Sequence, residues 1–366
     1  MRILIAPDKF KGSLGAQAVG HAIASGIRKA LPEAELEIVP LADGGEGTAE
    51  AIQLARGGKW IDCSAHDALG RPITARYAWL EEPALAIIEM SAAAGLAQLR
   101  PNERNPVNAS TFGVGEMVRA AATQGADQII LGLGGSATND GGFGMARALG
   151  FRFLDASGKE VTGPVSCLLD LAQIESAEGL SLPKIVAACD VRNPLLGPDG
   201  ATRIFGTQKG ATPEQCETLE ASLTRLADVA ARTFHQDHRE QPGAGAAGGL
   251  GFGLLAFAGA RIRSGFEVVA EMIDLGKKIA RADFIITGEG KLDRQTLSGK
   301  APAGVAQMAR ANNKPVFAIV GQAAEDAVTR GLFDQVITLD DTSEGYQETD
   351  RLLEAKARAL ADTLSN

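Results

Sequence analysis

Short apolar runs, broken by glycine-rich or charged loops, set the rhythm of this chain. It opens with a strand at Arg2–Ala6, continues in a helix-like segment from Gly15 to Ala30, and reaches a second strand at Leu36–Val39. Strand, helix and strand in such close succession form a βαβ unit, and such units build parallel sheets. The C-terminal third repeats the theme. Phe284-Ile285-Ile286-Thr287 reads as a buried strand, a helix follows over Ala303–Ala311, and strands come at Val316–Val320 and Gln335–Leu339. A charged amphipathic helix closes the pattern from Tyr346 to Leu364. The middle behaves differently. Residues 59–64, 73–79 and 84–90 have the hairpin rhythm of a mixed sheet. A helix at 113–124, strands at 128–133, 151–154 and Lys184–Ala188, and a polar helix at 213–233 complete it.

A sheet that begins at the N-terminus and resumes near residue 283 predicts an α/β protein with two domains. The first is a Rossmann-like parallel-sheet domain, discontinuous in sequence, spanning 1–65 plus 275–366. The second is a large inserted α/β domain over 66–274. Ligands in such folds gather at the carboxyl ends of parallel strands and in clefts between domains.

Composition narrows the function classes. At 366 residues the chain is long for one core, and 45% apolar with 22% charged residues excludes a disordered chain. The net charge of −9 is spread along the sequence, which argues against nucleic acid, whose phosphates need a concentrated basic face. A small anionic substrate remains compatible, because a local cluster of Lys and Arg overcomes a diffuse negative field. Cys63, Cys167, Cys189 and Cys216 form no CxxC pair and the four histidines no HxxxH pattern, so neither a zinc site nor a disulfide framework is expected. Reduced thiols and an N-terminus that reaches Asp8 and Lys9 too soon for a signal peptide point to the cytoplasm. Residues 243–260 carry no charge, but seven are glycines and Arg261 follows at once. A buried glycine-rich loop leading into a core helix is expected there, not a membrane span.

Unusual chemistry follows each presumed parallel strand. After the first comes Pro7-Asp8-Lys9-Phe10-Lys11-Gly12-Ser13, and after the second Ala42-Asp43-Gly44-Gly45-Glu46-Gly47-Thr48. Gly288-Glu289-Gly290-Lys291-Leu292-Asp293-Arg294-Gln295-Thr296 follows Thr287, with Ser298-Gly299-Lys300 beyond. The presumed insert adds Gly132-Leu133-Gly134-Gly135-Ser136-Ala137-Thr138-Asn139-Asp140-Gly141-Gly142, Cys189-Asp190-Val191-Arg192-Asn193-Pro194 and Thr207-Gln208-Lys209-Gly210. Taken singly, each is an ordinary turn or helix cap. Jointly, carboxylate, lysine and glycine recur at strand ends, the inventory of phosphoryl transfer. Backbone N–H groups cradle phosphates, carboxylates hold Mg²⁺, lysines neutralise developing charge, and one carboxylate takes the acceptor proton. Standard nucleotide signatures are absent: Arg294–Ala301 approaches a P-loop but has Arg for the first Gly and Ala after Gly299-Lys300. The competing reading is an NAD(P)-binding oxidoreductase, since Gly132-x-Gly134-x-x-Ala137 fits a dinucleotide fingerprint with Asp155 near the ribose-binding distance. Against it, Thr138–Gly142 intervenes before any helix.

These motifs resemble one family, the class I glycerate kinases of bacteria. The resemblance rests on APDKFKGSL (6–14), PLADGGEGT (40–48), ERNP (103–106), TFGVGE (111–116) and GLGGSATNDGGFG (132–144). It continues through ACDVRNPLLG (188–197), FGTQKGAT (205–212), PGAGAAGGLGFG (242–253), ITGEGKLDRQT (286–296) and SGKAP (298–302). Thr207 departs from an expected proline and leaves that loop's geometry open. The resemblance implies ATP-dependent phosphorylation of D-glycerate to 2-phosphoglycerate, in a route that salvages glyoxylate, glucarate or galactarate carbon. It also implies a discontinuous Rossmann-like domain with a large α/β insert and an active site in the cleft between them. ATP, Mg²⁺ and D-glycerate are then the expected ligands, with no nucleic acid or membrane partner and a homodimer left open.

Residue chemistry suggests the roles. Asp190 and Asp293 compete as the base, with Lys11 and Lys291 as catalytic cations. Asp8, Lys9, Lys11, Ser13, Arg192 and Asn193 are candidates for the acceptor. Gly134, Gly135, Ser136, Thr138, Asn139, Asp140, Gly288, Glu289 and Lys300 are candidates for the nucleotide phosphates, and Asp43, Glu46 and Asp190 for Mg²⁺.

Overall fold

The computed structural model describes residues 1–293, 300–324, 331–339 and 348–364. The chain divides into two compact units. One comprises Met1–Asp43, Glu50–Arg56 and Ser264–Asn366; the other comprises Gly44–Ala49 and Gly57–Arg263.

The first unit is built on a five-stranded sheet in the order Gln335–Thr338, Val316–Val320, Phe284–Gly288, Arg2–Pro7, Glu35–Ile38, parallel throughout. Its central strands are continuous apolar runs because both faces are buried, as parallel sheets require. The register sets Pro7 beside Gly288, so the loops that begin at Asp8 and Glu289 leave the same sheet edge side by side. Thr287 Oγ1 donates to Ala6 O at 2.7 Å and Asp8 N to Gly288 O at 2.8 Å, which pins that edge.

Helix Ala16–Ala30 buries Val19, Ile23, Ala24 and Ile27 at helical spacing and places Arg28 and Lys29 in its last turn, where they oppose the helix dipole. It packs on helix Thr349–Leu364, which buries Leu353, Ala357 and Leu360. The two backbones meet at Gly26, where an added Cβ would lie 2.1 Å from Glu354 O.

The second unit carries a six-stranded mixed sheet in the order Arg261–Arg263, Lys184–Ala188, Gln128–Gly132, Leu85–Glu89, Pro72–Leu80, Lys59–His66. The first four strands run parallel and the last two add antiparallel, as the hairpin rhythm foretold. Glu89, Gly132 and Ala188 lie in register, so three loops leave this sheet from one edge. The uncharged stretch becomes helix Ala246–Ala258, whose Ala247, Gly248 and Gly249 are left-handed. Among the described residues no helix is long and apolar enough to cross a membrane. The α/β class expected from the sequence is the class observed.

Gly26→Ala should destabilise the protein by about 1–3 kcal/mol, the usual cost of overpacking, despite alanine's better helix propensity. Urea unfolding checks this, and an unchanged midpoint would mean that the helix pair separates at no cost.

Candidate active site

In the first unit the structure gathers Asp8, Lys9, Asp43 and Glu289. Asp8 ends the first strand and is only 6% exposed, and Glu289 is 5% exposed. Burial, reinforced by the Asp43 carboxylate, pushes the Asp8 carboxyl up to about 7. The Lys9 backbone N–H, which donates to Asp8 Oδ1 at 2.7 Å, and the Lys9 charge oppose that rise, and Glu289 adds to it. A cluster of carboxylates beside a lysine suits either proton transfer or a cation.

The neighbouring loops are tightly laid. An added Cβ at Gly288 would meet Ile319 O at 2.1 Å, and one at Gly290 would meet Lys11 N at 3.3 Å. Lys11 is exposed next to Gly12, which needs its positive φ of 81°. Ser13 Oγ donates to Thr349 Oγ1 at 2.8 Å, which anchors this turn to the C-terminal helix. Lys291 is exposed, and Asp293 lies 3.9 Å from the Lys300 ammonium. Arg294, Gln295, Thr296, Ser298 and Gly299, and with them most of the approximate P-loop, lie outside the described residues.

The glycine-rich loop belongs to the second unit. Added Cβ atoms at Gly132 and Gly134 would stand 2.5 Å from Gly44 O and 2.3 Å from Gly45 Cα, so the close approach these glycines permit is to the chain's own 44–45 turn. Gly135, at φ 74°, lies against the Glu46 carboxylate. Glu89 holds the same turn, its Oε1 accepting from Gly47 N at 3.0 Å and Ala49 N at 2.8 Å.

The second half of the loop points inward. Asp140 is fully buried and accepts from Thr111 N and Oγ1, both at 2.9 Å, from Gly142 N at 3.1 Å and from Gly144 N at 3.0 Å. Burial raises its carboxyl, and those donors resist the rise. Asn139 Nδ2 donates to Thr202 Oγ1 at 2.9 Å. Ser136 Oγ and Thr138 O accept from Lys209 Nζ at 2.7 and 2.8 Å. On the next loop, Asp190 is half-buried and Arg192 exposed, while Asn193 Nδ2 closes a turn onto Asp199 O at 2.7 Å.

The oxidoreductase reading gains no support from this geometry. Its fingerprint glycines abut the protein's own backbone, and the following helix starts only at Phe143. Asp155 closes an exposed turn by accepting from Ser157 N, Ser157 Oγ and Lys159 N. Among the described residues no three His, Cys, Asp or Glu side chains converge to hold a metal ion. Asp43 falls in one unit, Glu46 and Asp190 in the other. Glu89, Thr111 and Lys209 were not foreseen as site-building residues. Thr111 and Lys209 lie in the motifs TFGVGE and FGTQKGAT, but without an assigned role, and Glu89 is a carboxylate at a strand end.

A model of the family described as "Glycerate kinase family" matches residues 3–366. The chain is 42% identical to "Glycerate kinase" of Bacillus subtilis (strain 168), over 89% of this chain and 86% of that protein. It is 42% identical to "Glycerate 2-kinase" of Escherichia coli (strain K12), with the same coverage. A crystal structure provisionally assigned as glycerate kinase 2 from Salmonella typhimurium LT2 superposes with a TM-score of 0.86 at 43% identity, covering 100% of this chain and 98% of that one.

The buried carboxylates generate a pH prediction. Asp8's raised value means that the folded state binds the extra proton between the ordinary carboxylate range and about 7, so ionisation costs stability as pH rises through 7. Asp8→Asn imitates the protonated form. It should therefore raise Tm more at pH 8 than at pH 5; equal shifts at both would mean that Asp8 does not titrate in this range.

Proposed function

The chain belongs to the glycerate kinase family, and on that premise we propose that it transfers the γ-phosphoryl group of ATP to D-glycerate, forming 2-phosphoglycerate. The observation that carries this reading is the match, along 89% of the chain, to a relative named "Glycerate 2-kinase". The residues at the strand ends supply matching chemistry. Asp8 has a carboxyl poised near neutrality, the value at which a base is both deprotonated and still able to take a proton. We therefore assign it the acceptor hydroxyl's proton, ahead of Asp190 and of Asp293, which the Lys300 ammonium faces.

Lys9 and Lys11 would neutralise the glycerate carboxylate and the transferred phosphoryl, aided by Lys291; Arg192, in the second unit, is a further candidate for the acceptor. Backbone N–H groups of Gly134, Gly135 and Ser136 would receive phosphate oxygens. A magnesium ion that arrives on a nucleotide needs only one or two protein carboxylates, and it neutralises charge on the phosphates. Asp43, Glu46 and Asp190 are the carboxylates we propose for that role. The four free thiols fit work in the cytoplasm.

The direct test couples ADP release to oxidation of NADH with D- and L-glycerate as acceptors and identifies the product by ³¹P NMR. The expected outcome is turnover on D-glycerate with a single 2-phosphoglycerate resonance; a 3-phosphoglycerate signal, or no turnover, would overturn the assignment. A second measurement ranks the carboxylates. Asp8→Asn should lower kcat by about 10²-fold or more, the typical contribution of a general base, and Asp190→Asn by less. The reverse ranking would move the base role to Asp190.

A further inference from the structure

Among the described residues, Lys209 is the one lysine among the largest fully buried side chains, at 2% exposure. Burying an ammonium costs several kcal/mol in general, and an apolar side chain would fill the same space without that cost. The backbone that delivers it is fixed. Thr207–Lys209 forms one turn of 3₁₀ helix without the expected proline, closed by Lys209 N to Gly206 O at 3.0 Å and Gly210 N to Thr207 O at 3.0 Å. Gly210 takes a φ of 98°, and a Cβ there would lie 2.5 Å from Arg104 O. The side chain is thus aimed from a locked turn at one target, the 136–138 stretch.

At the target, Nζ donates to Ser136 Oγ and to Thr138 O. Asp140 is the acidic group that favours its charge, yet the Asp140 oxygens are occupied by Thr111, Gly142 and Gly144 donors. Burial pulls the ammonium down to about 7. Two further polar atoms of this stretch, Thr138 Oγ1 and Asn139 Oδ1, are buried with no partner among the described residues. The Lys209 bonds tie down this turn together with those from Ala137 N to Ala94 O at 2.9 Å and from Leu96 N to Gly135 O at 2.8 Å.

We propose that Lys209 is a positioning residue for the reaction: its two hydrogen bonds hold the Ser136–Thr138 backbone in the single shape in which the loop's N–H groups meet an anionic group of the substrates. This inference rests on the reading above that the 132–142 loop handles phosphate or carboxylate oxygens.

The test uses the full chain and three variants, Lys209→Met, Lys209→Gln and Gly135→Ala, with Tm, kcat and the KM for ATP and D-glycerate measured on each. Lys209→Met keeps the volume and loses the donors. It should fold with a Tm within about 4 °C of wild type while kcat/KM falls by about 10²-fold, the effect of a slightly misplaced binding group. Lys209→Gln, which retains a donor, should recover about tenfold of that loss. Gly135→Ala disturbs the loop directly and should impair the same kinetic constant. Wild-type kinetics in Lys209→Met with an impaired Gly135→Ala would overturn the role of Lys209 and leave the loop reading intact. Wild-type kinetics in Gly135→Ala would overturn the loop reading and the role of Lys209 with it. Tm and activity lost together in both Lys209 variants would show a merely structural lysine.

Discussion

Main chain lying directly on main chain is the constraint from which the second unit takes its form. The 132–142 loop lies against the 44–45 turn through Gly132 and Gly134, and against the 248–253 segment through Gly141 and Gly142. Gly248 and Gly249 face it from that segment, where added Cβ atoms would lie 1.9 Å from Thr138 O and 2.8 Å from Gly141 Cα. A side chain at Gly132, Gly134, Gly142, Gly248 or Gly249 would force the segments apart. Because glycine costs more entropy to order than any other residue, such a stack must be held by its neighbours. Asp140, Glu89 and Lys209 supply the hold, each by hydrogen bonds to backbone or hydroxyl groups of the stacked segments.

Three buried ionisable groups show three ways of living with desolvation. Asp140 surrounds its carboxylate with backbone N–H donors and a threonine hydroxyl, which is a structural solution. Lys209 shares its protons between a hydroxyl and a carbonyl. Asp8 has one backbone donor and carboxylate neighbours, an arrangement that leaves its proton poorly settled near neutrality. A group left unsettled in this way is expected where chemistry happens.

The fold was legible wherever burial leaves a continuous apolar run. Arg2–Pro7, Phe284–Gly288 and Val316–Val320 announce themselves for that reason. Arg261–Arg263 does not, being three residues with two exposed arginines, and Leu171–Glu175 follows a 3₁₀ stretch with no turn signal. At the strand ends, charge and glycine mark the loops that leave the two sheets after Pro7, Gly288, Gly132 and Ala188. The letters did not reveal which way they face. A glycine that clears space for a ligand and one that clears space for Gly45 look identical, and the motif around Lys209 does not say that its side chain is buried. Asp140, a candidate for the nucleotide phosphates, accepts in the fold from donors of Thr111, Gly142 and Gly144.

The division of the chain also dictates an order of assembly. The strand at Arg2–Pro7 has as its neighbours Glu35–Ile38 and Phe284–Gly288, so half of its pairing lies some 280 positions ahead. At ~5–20 residues per second, a ribosome leaves that edge unmatched for roughly 15–60 s. Residues 57–263 are all made within that interval. The second unit can thus be complete on the nascent chain while the first sheet still waits for its central partner. The exposed edge of the N-terminal strand is then the aggregation hazard a chaperone would need to shield.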